Sequence, residues 1–118
     1  EGKDINYLIK NYPKIYKKWN EKKDVRFPCG ENYANVIRRI NNFEKNIFTI
    51  TKNHKKILVV THNVFLRCLI GKNFQLPTYM LHYILIKHMQ SFEYFICNGK
   101  LRANIDRKIL KIFEQVLI

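Results

Sequence analysis

Cysteine is scarce in this chain, and the three that it has, Cys29, Cys68 and Cys97, are widely spaced and odd in number. They form neither a zinc-like pair nor a disulfide framework, so they are expected to be reduced thiols in a cytosol-like, cytoplasmic compartment. Long apolar runs are lacking too. The longest clean one, Ile57 to Val60, suits a core strand and is too short to cross a bilayer. The chain opens Glu1-Gly2-Lys3-Asp4, without the apolar segment of a signal peptide. There is no internal repeat and no low-complexity linker. Acidic residues are few, 9 against 22 Lys and Arg, which leaves a formal net charge of +13.

What is present is globular in composition: 118 residues, 47% hydrophobic and 14% aromatic, enough for one domain or part of one. The positive balance attracts anions, among them nucleic acid, membrane phosphates and small phosphorylated substrates. The lysines are spread over turns and helix faces (Lys17-Lys18, Lys22-Lys23, Lys55-Lys56) and do not form one stripe. General Lys and Asn richness explains that spread better than a nucleic-acid surface does.

Ile5, Leu8, Ile9 and Tyr12 have helical spacing, Pro13 interrupts it, and Ile15, Tyr16 and Trp19 resume it. Asn20 to Gly30 is a polar loop. Asn32 is a good N-cap, and Val36, Ile40, Phe43, Ile47 and Ile50 then form one face of a long amphipathic helix. Thr51 to Lys56 is a basic loop. Ile57 to Thr61 is apolar on both faces and predicts a buried central strand of a parallel sheet. A helix from Val64 to Ile70 follows at once, with Gly71 placed as its C′ residue. Pro77 can start a short helix through Met80 and Leu81. Ser91 to Ile96 and Leu101 to Ile105 flank Asn98-Gly99, a type I′ hairpin signal. Arg107 to Ile118 predicts a closing amphipathic helix.

His62 stands where the predicted strand ends and the next helix begins. In open α/β sheets ligands sit at the carboxyl ends of strands. A helix N-terminus there offers free amides to an anion, and an imidazole adds a further donor. The remaining histidines, His54, His82 and His88, have ordinary structural readings.

The stretch RFPCGENYANVIRRINNF (Arg26 to Phe43), followed by ILVVTHNVFLRCL (Ile57 to Leu69), resembles the histidine phosphatase superfamily, also called the phosphoglycerate mutase-like family. The shared features are P-x-G-E-[S/N], a helix with an arginine in its second turn (Arg38 or Arg39), and V-x-H followed by x-x-x-x-R. EGKDINYLIKNYPKIYKKW (Glu1 to Trp19) resembles the segment before the P-x-G-E loop, and SFEYFICNGKLRANI fits the last strands. RCL at Arg67 to Leu69 resembles the fructose-2,6-bisphosphatase branch.

The resemblance implies a three-layer α/β/α fold, of which residues 1–118 would be the C-terminal half. It implies phosphomonoester hydrolysis or phosphoryl transfer through a phosphohistidine, on a small phosphorylated substrate, with no cofactor and no metal. His62 matches the second histidine, the one that holds the phosphoryl group, and the Asn63 amide would face the same phosphate. The chain contains no Arg-His-Gly, the motif of the nucleophilic histidine, and Glu1 does not match the family's acid. The expected partner is the upstream half of the domain, oligomers are possible, and neither a membrane nor nucleic acid is expected. Asn63 replaces a usual glycine, and Asn32 a usual serine. Arg67 is expected to pair with a carboxylate or cap a carbonyl, Glu31 to order its loop, and Cys68 to be buried and inert. Arg26, Lys22 and Lys23 are expected on a solvated face. The rival readings are an inactive, partner-binding relative and a basic nucleic-acid-binding module.

Overall fold

The helices begin where the sequence supplies caps. The computed structural model describes residues 2–105. In α1 (Ile5–Asn11) the Asp4 side chain accepts the Tyr7 amide at 2.8 Å. Pro13 is the first residue of α2 (Pro13–Asn20), where its missing N–H is no loss. Asn32 caps α3 (Tyr33–Thr51) reciprocally: it accepts from the Asn35 amide at 3.0 Å, and the Asn35 side chain accepts from the Asn32 amide at 3.1 Å. Asp24, across the loop, accepts from the amides of Tyr33 (2.7 Å) and Ala34 (3.3 Å). The three amides at the start of α3 are therefore all satisfied.

The apolar face of α3 buries Val36, Ile40 and Ile47, while Ile50 in its last turn is exposed. It packs on α4 (Asn63–Asn73), which buries Cys68, Leu69 and Ile70. A 3-10 helix, Thr78–Tyr83, follows Pro77 and lays Met80 and Leu81 into the same core. Ile40, Ile70, Met80 and Cys68 are fully enclosed.

Gly71 is not the C′ residue of α4. The helix continues to Asn73, and Gly71 is buried inside it. A Cβ at Gly71 would lie 2.1 Å from Leu81 Cδ2, so glycine is needed for close helix packing. The left-handed residue is Gln75, with φ +56°. Its amide bonds to Lys72 O at 3.2 Å, and the Leu76 amide bonds to Gly71 O at 2.8 Å. That pair of bonds is the Schellman termination, built here on a glutamine.

The expected strand Ile57 to Thr61 is not a strand in the structure. It has no ladder partner, and Leu58 and Val60 are each 88% exposed. Strands form by pairing, and among the described residues the only sheet is a hairpin elsewhere in the chain. The apolar run is therefore left open to solvent, and no parallel central strand exists among the described residues.

That hairpin pairs β1 (Glu93–Cys97) with β2 (Lys100–Asn104), antiparallel, with Tyr94 opposite Ala103 and Ile96 opposite Leu101. Asn98 and Gly99 have φ of +50° and +67°, as the type I′ signal requires. The Asn73 side chain fastens α4 to β2, donating to Leu101 O at 2.8 Å and accepting from the Ala103 amide at 3.1 Å. The expected helix Arg107 to Ile118 lies outside the described residues.

Candidate functional site

His62 is the N-cap of α4, with extended backbone (φ −100°, ψ 158°) and no side-chain hydrogen bond to the helix. The first backbone bond of α4 runs from the Leu66 amide to His62 O at 3.1 Å. The amides of Asn63, Val64 and Phe65 precede it and have no helical acceptor. Three N–H groups and an unengaged imidazole thus meet at one helix end, which carries partial positive charge.

His62 lines a cavity of about 350 Å³. Its floor comes from α3 and the loop before it (Asp24, Phe27, Glu31, Arg39), and its wall from Trp19, Val64 and Phe65. Of the two candidate arginines, Arg39 lines the cavity and Arg38 does not. Glu31 accepts both Arg39 Nε (2.9 Å) and Arg39 Nη2 (2.7 Å), and so ties the P-x-G-E loop to α3. Both side chains are about half exposed, and a pair in that setting contributes ~0.2–1 kcal/mol. The bidentate geometry matters for orientation: it holds the guanidinium over the Phe65 ring at 5.8 Å.

Asn63 does not line the cavity. Its side chain donates to Ile86 O at 3.1 Å, which leaves only its backbone amide to face an anion. Its φ is not positive, so no left-handed glycine is required there. Arg26 donates to Gly30 O at 3.0 Å, Lys23 pairs with Glu21, and Lys22 sits 5.7 Å from the Tyr83 ring centroid. None of these three basic residues reaches the cavity.

Arg67 departs from expectation. It pairs with no carboxylate among the described residues, and its Nε is buried without a hydrogen-bond partner. Tyr33 Oη and His82 Nε2 are in the same condition. The rings of Tyr33 and His82 meet edge-on at 5.2 Å, and Trp19 packs on His82 at 4.4 Å. Burial holds the His82 imidazole below its ordinary value near 6.5, with Lys22 and Arg67 acting in the same direction and Asp24 opposing them. Burial likewise raises the Tyr33 phenol, against the pull of Arg67. The Cys68 thiol is pushed up to about 12, first by burial and then by Asp24, and is inert as expected.

The sign for His82 follows. The folded imidazole binds a proton less readily than the unfolded one, so acid favours unfolding. Stability is expected to be full above about pH 6.5 and to fall as the pH drops toward the lowered folded value. Urea midpoints at pH 7.5 and pH 5 measure this, and His82→Phe is expected to flatten the difference. An unchanged pH dependence in that variant would show that His82 does not carry it.

The family model described as Histidine phosphatase superfamily (branch 1) matches residues 1–100. The chain belongs to the histidine phosphatase superfamily. No curated protein matches it, and no solved structure does. Membership places this histidine phosphatase chain in an α/β family of phosphoryl-transfer proteins. Among the described residues no group of three or more His, Cys, Asp or Glu is placed to hold a metal ion. No described helix is long and apolar enough to cross a membrane.

Three features of the site were not read from the sequence. Asp24 caps α3 from nine residues away, a distance at which no local motif signals a cap. Trp19, Phe27 and Phe65 come to line one cavity only through tertiary packing. The buried Tyr33–Arg67–His82 group joins two helices and the 3-10 turn, and each residue taken alone has an ordinary surface or helix-face reading.

Proposed function

We propose that this chain supplies the phosphate-holding side of a phosphomonoesterase site. The observation that carries the reading is the open α4 N-terminus, with His62 turned to a cavity and engaged by nothing else. In this reading His62 and the amides of Asn63, Val64 and Phe65 hold the phosphoryl oxygens. A histidine from the upstream half of the domain attacks phosphorus, the P–O bond to the substrate breaks, and an acid protonates the departing oxygen. Water then attacks the phosphohistidine, which regenerates the histidine and releases phosphate. The complete domain would have the three-layer α/β/α arrangement, with the Ile57 to Thr61 segment paired to the nucleophile-bearing strand.

The chain has no Arg-His-Gly motif, so the 118 residues alone are expected to show no turnover. The test is hydrolysis of a generic aryl phosphate, without added metal, by this chain and by the full-length polypeptide. The full-length polypeptide is expected to be active and the chain silent. Turnover by the chain that vanishes in His62→Ala would place the nucleophile within these residues and overturn the reading.

A further inference from the structure

The cavity beside His62 is unusual in what else lines it. Trp19, Phe27 and Phe65 contribute three half-buried rings, and Val25, Val36 and Val64 supply most of the remaining apolar wall. Trp19 and Phe27 meet edge-on at 5.4 Å, and Phe65 meets Phe43 edge-on at 5.6 Å, so these rings are held in place by packing. The ionised lining is one cation, Arg39, against two carboxylates, Asp24 and Glu31. Glu31 already engages Arg39, and Asp24 already engages two amides. In a chain of net charge +13, this cavity is therefore a place without surplus positive charge away from His62.

We infer that the leaving group taken by this site is a planar, uncharged ring, so that the substrate class is an aryl-type phosphate monoester. The inference rests on the proposed function, because it needs the phosphoryl group at His62. The phosphoryl oxygens sit at the α4 amides, and the ring lies among Trp19, Phe27 and Phe65, where ring contacts replace water. A second anionic group, such as the carboxylate of a phosphoglycerate or the second phosphate of a bisphosphate, would face Asp24 and Glu31 with no free cation among the described lining residues to meet it. A cavity of about 350 Å³ suits one ring and one phosphate.

The test is calorimetric titration of the full-length polypeptide, with its upstream nucleophilic histidine replaced by alanine so that esters are bound and not hydrolysed, with phenyl phosphate, glycerol 2-phosphate, 3-phosphoglycerate, inorganic phosphate and phenol. Phenyl phosphate is expected to bind about three- to tenfold more tightly than glycerol 2-phosphate, with 3-phosphoglycerate weakest of the esters. Phe27→Leu is expected to cut that preference by at least half while glycerol 2-phosphate binding stays within about twofold, which also reports that the variant is folded. Equal affinity for phenyl and glycerol phosphates, or a preference undiminished in Phe27→Leu, would overturn this inference and leave the phosphate site standing. Phenol binding as tightly as phenyl phosphate, or esters that inorganic phosphate does not displace, would overturn the phosphate site itself, and the inference with it.

Discussion

Replacing His62 with alanine is expected to lower phosphate-ester turnover by the full-length polypeptide about 10²–10³-fold, the cost of one preorganised donor to a developing oxyanion. The size follows from the surroundings. His62 is the one imidazole in the cavity lining, and Arg39, the one guanidinium there, is held by Glu31. Among the described residues lining the cavity, no second unengaged basic side chain is there to replace it. The three amides at the start of α4 would remain, so part of the phosphate binding is expected to persist. The fall should appear mainly in kcat, because the planar arrangement of phosphoryl oxygens that these donors fit is reached only in the transition state. His88, exposed and outside the cavity, is the control, and His88→Ala is expected to change turnover less than twofold. Steady-state kinetics of both variants, with circular dichroism to show that each is folded, measures this. A folded His62→Ala retaining more than a third of wild-type turnover would remove His62 from the mechanism.

The second large effect concerns association. Purified alone, the 118-residue chain is expected to aggregate, to unfold without a sharp transition, or to pair with another chain. The cause is Ile57 to Val60: extended, unpaired and exposed, with Leu58 and Val60 each 88% open to water. Burying two such side chains recovers roughly 3–6 kcal/mol. A whole domain's margin is only about 5–15 kcal/mol. Association through this segment therefore competes with the folded monomer on equal terms, and the unpaired amides and carbonyls give it a direction. The proposed occupant in the complete protein is a strand from the upstream half. Sedimentation and thermal melts test this, with Leu58→Lys plus Val60→Lys expected to shift the chain toward monomer. A wild-type monomer with one sharp transition would refute it, and would mean that these residues form a complete domain.

The helices were legible because their signals are local. Asn32 caps α3 through an amide three residues away, Pro13 restarts the chain as α2, and Asn98-Gly99 takes the two positive φ values of a tight turn. The run from Ile57 was misread for the opposite reason. Four apolar residues in a row state a preference for a dry environment, but that environment has to come from other segments, and none of the described residues supplies it. Gly71 illustrates a subtler failure. A glycine near a helix end suggests a left-handed cap, yet here it serves the approach of Leu81, and Gln75 takes the left-handed position. At the site, a motif singled out His62, but nothing in the local pattern separated Arg38 from Arg39. Only the Glu31 carboxylate, eight residues back, makes that choice.

Asn73 has a consequence for how this protein can grow a sheet. In a tight antiparallel hairpin the outward-facing backbone groups of β2 belong to Leu101 and Ala103. The Asn73 amide engages two of those four groups, donating to the Leu101 carbonyl and accepting from the Ala103 amide, and α4, which carries it, packs on β2. A single side chain thus imitates the next strand and stops the ladder on that side. The matching groups of β1, on Tyr94 and Ile96, have no backbone partner among the described residues. Among the described residues the open edge of the hairpin is therefore that of β1, and a further strand can join there. If two copies meet there, each uses the same edge, the contact closes under a two-fold axis, and no third copy can extend that ladder.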